Sequence, residues 1–156
     1  MKFEQFKTEI EKLFAEKFGK SYCGCKIYKC LGNSITIDCR LAENTSECPH
    51  NIASNDMMKI CFAIVLPDGW NEADELPENL TMEAWDNNIK VKPTNDYLYC
   101  ESKKVSYRKT SGTAKKLIAA FGKFVDRLYT LIKEEYQAEN LLDYDMELIK
   151  AKEYFN

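Results

Sequence analysis

Ser34-Ile35-Thr36-Ile37-Asp38-Cys39-Arg40-Leu41 alternates apolar and polar residues without a break. A strand turns successive side chains to opposite faces, so the run predicts a strand buried on one side. Ile35, Ile37, Cys39 and Leu41 would face inward, and Thr36, Asp38 and Arg40 would face solvent. Just before it stands Gly32-Asn33, a pair that accepts the positive φ angles of a tight turn, and before that Cys25–Leu31 is again rich in β-formers. The pattern predicts a hairpin in which Cys30 faces Ile35 and Tyr28 faces Ile37.

Outward from this hairpin the next strong signal is Met57–Leu66, which contains the longest apolar stretch, Ile60–Leu66, and reads as a strand near the sheet centre. Pro67-Asp68-Gly69 ends it with turn chemistry. Ala42–Asp56 is polar and aperiodic, as a loop would be. Trp70–Asn88 is acidic and predicts a loop with a short helix around Thr81–Trp85, capped by Thr81. Ile89–Lys92 and Tyr97–Tyr107 read as further strands.

Helical periodicity brackets these strands. Phe3, Phe6, Ile10, Leu13, Phe14 and Phe18 recur at three- and four-residue spacing up to Gly19. Ala114, Leu117, Ile118, Phe121, Phe124, Val125, Leu128, Leu131 and Ile132 form a second, longer stripe. Ala138–Phe155, with Leu141, Leu142, Met146, Ile149 and Tyr154, reads as a last amphipathic segment suited to a homodimer contact. The fold class expected is α+β. A mainly antiparallel sheet of about four to five strands packs against an N-terminal helix and a long C-terminal helix, and a final short helix follows. With 156 residues and no linker-like or repeated stretch, a single domain over 1–156 is the simplest organisation.

Composition narrows the function classes. Hydrophobic residues make up 45% and charged residues 30%, the balance of an ordinary globular chain rather than a disordered one. No apolar run approaches the roughly 18 residues a membrane helix needs. Met1-Lys2-Phe3-Glu4-Gln5-Phe6-Lys7 has no hydrophobic leader core, so a cytoplasmic chain with no membrane partner is expected. Seven cysteines, an odd number in a chain with an ample core, point to free thiols rather than a disulfide scaffold.

The net charge of −3 conceals two blocks of opposite sign. Between Phe62 and Ile89 no lysine or arginine occurs, while Asp68, Glu72, Asp74, Glu75, Glu78, Glu83 and Asp86 do. Between Ser102 and Val125 the pattern reverses, with Lys103, Lys104, Arg108, Lys109, Lys115, Lys116 and Lys123 and no acidic residue. Ser111 or Thr113 would cap the long helix, which places Lys115 and Lys116 where the macrodipole disfavours cations and a bound anion is favoured. Lys123 and Arg127 share that side of the helical wheel, and Gly122 would allow close approach of a ligand backbone. This basic face is the candidate anion or nucleic-acid surface, against which stands a chain pI of about 5.4. Trp70, Glu72, Asp74, Glu75, Glu78 and Trp85 form the candidate protein-interaction surface, with the tryptophans as anchors. The two blocks folding against each other is the plainest alternative to both.

Enzyme signatures are missing. The chain has no P-loop, no G-x-G-x-x-G, no G-x-S-x-G and no H-E-x-x-H, and its single histidine leaves no evident triad. Cys23-x-Cys25 and Cys48-x-His50 are each a residue shorter than the usual zinc knuckle, so a zinc-binding module through Cys23, Cys25, Cys48 and His50 is a further alternative. No cofactor is implied. The expectation is a small binding or regulatory protein, an adaptor or inhibitor with a protein partner, and nucleic acid as the alternative partner.

Overall fold

The computed structural model describes residues 1–18, 25–30, 32–42, 56–93 and 100–136. Helix α1 spans Phe3–Phe18, and strands β1 (Cys25–Cys30), β2 (Ser34–Ala42), β3 (Asp56–Val65), β4 (Leu80–Pro93), β5 (Cys100–Lys104) and β6 (Thr110–Gly112) follow. Helix α2 covers Ala114–Tyr136. The fold is α+β. Strands β1 to β5 lie side by side in chain order, every pair antiparallel, and short β6 pairs with the opposite end of β4 from β5.

One face of the sheet is packed. Ile27, Ile35, Ile37, Leu41, Ile60, Phe62, Ile64, Met82 and Ile89 are all buried on it, in the two-residue rhythm that strands impose. Both helices press their apolar stripes onto this face: Phe3, Phe6, Ile10, Phe14 and Phe18 from α1, and Leu117, Phe121, Phe124, Leu128 and Ile132 from α2. Phe62 is the focus, with Phe121, Phe124 and Tyr107 edge-on to its ring at centroid distances of 5.8, 5.3 and 4.8 Å. The helices also meet directly, with Lys17 of α1 3.2 Å from Asp126 of α2 and lying over the Tyr129 ring. Gly122 faces this seam, because a Cβ there would meet Leu13. It therefore serves helix packing and not the approach of a ligand.

The hairpin register differs from the expected one by a residue. Cys30 pairs with Ser34, Tyr28 with Thr36, Ile27 with Ile37 and Cys25 with Cys39. Burial decides this: a one-residue slip moves every side chain to the other face, and only this register puts Ile27 beside Ile37 against the helices. Thr36 also departs from expectation. It faces away from the helices yet is only 6% exposed, its Oγ1 2.8 Å from Cys30 Sγ.

The predicted short helix at Thr81–Trp85 is instead the start of β4. Leu80 and Met82 are buried while Glu83 is exposed, a period of two and not of 3.6. Thr81 caps nothing; its hydroxyl meets Ser111 Oγ of β6 at 2.8 Å. The β-propensity of the stretch is modest, and the exposed length of β3 supplies the partner that makes it a strand.

Turns and short contacts close the ends. Gly69 takes φ 79° in the turn that joins the Pro67 carbonyl to the Trp70 N–H. Gly112 takes φ 152°, a conformation side chains resist, just before α2 begins. Asn87 holds the stretch after β5 in place, since its Nδ2–H donates to the Val105 carbonyl and its own carbonyl accepts from the Val105 N–H. The expected loop at 43–55, the strand start at 97–99 and the final helix at 138–155 fall outside the described residues.

Phe62 joins three other rings, and its replacement by alanine is expected to cost about 3–5 kcal/mol in urea unfolding. Val65, 70% exposed three residues on, is the control. Its change to alanine should move stability by less than about 0.5 kcal/mol.

Candidate functional site: two charged ends and the sheet face opposite the described helices

The basic residues do not form one surface. Lys103 and Lys104 pair with Ile89 and Asn88 near one end of β4, whereas β6, which leads into α2, pairs with Leu80–Met82 at the other end. Seven or eight residues of extended strand separate these points by roughly 25 Å. Lys109, Lys115 and Lys116 are exposed at the α2 end, Arg108 is exposed in the segment before β6, and Lys123 lies two turns along the helix.

The α2 end is built as the sequence suggests, with Thr113 rather than Ser111 as its cap. The Lys116 N–H donates to Thr113 Oγ1 at 3.2 Å, and the first turn holds no acidic residue. Carboxylates stand close by all the same. Lys109 is 3.6 Å from Glu83, and Lys115 shares an open groove of about 810 Å³ with Glu4, Glu9, Gln5, Thr8, Met1 and Ile118. A phosphate chain approaching this end would meet three carboxylates along with the lysines.

The acidic block is used mainly elsewhere. Glu75 accepts an ion pair from the amino group of Met1 and a longer one, 3.6 Å, from Lys2, while the Leu76 N–H bonds the Met1 carbonyl. The hydrogen bond from that amino group holds the Glu75 carboxyl below its ordinary pKa, with the positive charges beside it adding to the effect. Asp74 accepts from the Asn71 N–H at 3.1 Å and so stabilises its own turn. Glu72 and Glu78 are exposed. Of ion pairs between the two charge blocks, Lys109–Glu83 is the one found among the described residues.

The two tryptophans part company. Trp70 is 8% exposed, with its Nε1–H on the Glu75 carbonyl at 3.1 Å, Phe3 edge-on at 6.0 Å and Lys29 5.5 Å from its ring. It is part of the core. Trp85 is 64% exposed. It is the extra residue of a β-bulge: Phe62 pairs with Ala84 and Cys61 with Asp86, leaving Trp85 without a partner in the ladder. Ala84 packs on the core, and the bulge turns Trp85 and then Asp86 away from it.

Trp85 thereby joins a sheet face that no described helix covers. Across the strands this face carries the row Tyr28, Thr36, Ala63 and Glu83, and next to it the row Lys26, Asp38, Cys61 and Asp86. Its charges are matched locally. Arg40 pairs with Asp38 at 3.1 Å and Lys59 with Asp86 at 3.4 Å. Cys61 donates to Asp38 at 3.6 Å, and burial followed by the Asp38 charge pushes its thiol up to about 11. Tyr28 and Val65 are exposed at 40% and 70%. Sequence alone left out Tyr28 and Val65, because their shared face becomes visible only once the hairpin register is known.

Among the described residues no cluster of three or more histidine, cysteine or carboxylate groups could hold a metal, and no helix is long and apolar enough to cross a membrane. Of the four residues suggested for zinc, Cys25 is described and sits against Cys39; Cys23, Cys48 and His50 lie outside the described residues.

Lys116 in the first turn of α2 opposes the helix dipole, so Lys116→Glu should raise stability by about 0.3–1 kcal/mol. Thr113→Ala should lower it by about 1 kcal/mol through loss of the cap. Urea unfolding of both variants checks the pair of signs. Comparison with family models, with curated proteins and with solved structures returned no match.

Proposed function

We propose that this chain is a small protein-binding module, an adaptor or inhibitor, whose docking surface is the sheet face opposite the described helices, with Trp85 as its anchor. The observation that carries this is the exposure of Trp85, 64%, on a β-bulge. A tryptophan left in water at a bulge within a paired strand forgoes roughly 1.5–3 kcal/mol of burial that a partner can recover. Tryptophan and tyrosine are also the residues most often found to dominate protein interfaces. Tyr28 and Val65 extend the apolar area, and the ion pairs around it are solvent-accessible, the make-up of an apolar centre with a polar rim.

Nucleic acid remains the second reading, favoured by one observation: exposed Lys115 and Lys116 at a helix start without an acidic residue. The carboxylates of Glu4, Glu9 and Glu83 beside these lysines weaken it, since they oppose a polyanion within the Debye length of about 8–10 Å.

Capture from the native host with the wild-type chain, Trp85→Ala and Lys115→Glu/Lys116→Glu separates the readings. A partner protein retained by wild type and by the double-lysine variant, insensitive to nuclease and lost with Trp85→Ala, is the expected result. Equal recovery with Trp85→Ala would overturn the docking surface. Salt-sensitive binding to generic RNA or DNA, lost in the double-lysine variant, would establish the second reading instead.

A further inference from the structure

Cys25 and Cys39 are direct partners in the β1–β2 ladder, and their Sγ atoms lie 3.1 Å apart. Opposed residues of antiparallel strands have Cα atoms roughly 4.5–5.5 Å apart, inside the roughly 4.4–6.8 Å range that a disulfide spans. The sulfurs need to approach by only about 1 Å to reach the covalent length of roughly 2.05 Å. Both are free thiols in this structure. We propose that Cys25 and Cys39 are a redox-modification site, closed reversibly into a cross-strand disulfide by exchange with a low-molecular-weight disulfide such as oxidised glutathione.

The sheet sorts the other described thiols away from this pair. Cys25 and Cys39 lie on the helix-packed face with Ile27 and Ile37. Cys30 and Cys61 lie on the opposite face, where Cys30 meets Thr36 and Cys61 meets Asp38. Accessibility then orders the steps. Cys25 is partly exposed and Cys39 is 1% exposed, so Cys25 meets the oxidant.

Cys25 gives its proton to solvent and its thiolate attacks one sulfur of the small disulfide. That S–S bond breaks, and the departing thiolate takes up a proton. Cys39 then loses its proton to solvent and attacks Cys25 Sγ, which expels the second small thiolate to be protonated in turn. Two protein thiols are oxidised to one disulfide, and one small disulfide is reduced to two thiols. Burial holds the Cys39 thiol well above its ordinary pKa, so the closing step quickens as the solution becomes more alkaline. The bond would staple β1, an edge strand hydrogen-bonded in the sheet to β2, onto its neighbour.

The test treats the full chain with oxidised glutathione at pH 7 and pH 9, followed by alkylation in denaturant, digestion and tandem mass spectrometry. The expected result is a chain lighter by two hydrogens whose spectra join Cys25 to Cys39, formed faster at pH 9 and reversed by dithiothreitol. Cys23→Ser should retain the link, and Cys25→Ser should leave Cys39 open to alkylation. If Cys39 of the wild-type chain is still alkylated after treatment, or is joined to any cysteine other than Cys25, the proposal is overturned. The wild-type result stands whether or not either variant folds.

Discussion

The edge-on contact of Phe62 with Phe121 and Phe124 decides which side of the sheet is inside. β3 is the middle strand, and side-chain parity is transmitted across a ladder residue by residue. Once Phe62 faces α2, Ile37 and Ile27 must face the helices on β2 and β1, and Ala84 must do so on β4. The opposite parity is equally fixed: Tyr28, Asp38, Cys61 and Asp86 are carried to the other face. Core and outer surface are thus two readings of one constraint, and a change at Phe62 acts on both.

That constraint also explains why β4 needs a bulge. Its first half places Leu80 and Met82 in the core, and its second half places Ile89 there. The spacing from Met82 to Ile89 is odd, so strict alternation would send one half outward. Insertion of Trp85 restores the parity and leaves its own side chain exposed. An indole displaced from the core by the counting of a strand is a surface with something to gain from a partner. The charges follow the same logic: Asp38, Arg40, Lys59 and Asp86 pair with one another on that face, which leaves Trp85 as its dominant apolar element.

Much of this was legible in the residues. The phenylalanine spacing of α1, the long stripe of α2, the alternation of β2 and the apolar run of β3 are each strong periodic signals and each correspond to elements found. The hairpin register was not legible, because Gly32-Asn33 fits a two-residue turn as well as a longer connection, and only burial of Ile27 beside Ile37 separates them. β4 was missed at Thr81–Trp85 because Glu83 and Ala84, in an acidic stretch, favour strands poorly and the segment owes its strand state to pairing with β3 and β6. The lysines of the second block looked continuous in sequence, yet the two ends of a long strand hold them apart. For the same reason Trp70 and Trp85, similar in their surroundings along the chain, end in opposite environments.

Hydroxyl-radical footprinting of the chain, alone and with the partner the proposal expects it to capture, tests the central claim most directly. The free chain should show rapid oxidation of Trp85 and slow oxidation of Trp70, and the complex should protect Trp85 and Tyr28 together. Equal reactivity of the two tryptophans in the free chain, or an unprotected Trp85 in the complex, would contradict a sheet that packs one face and works with the other.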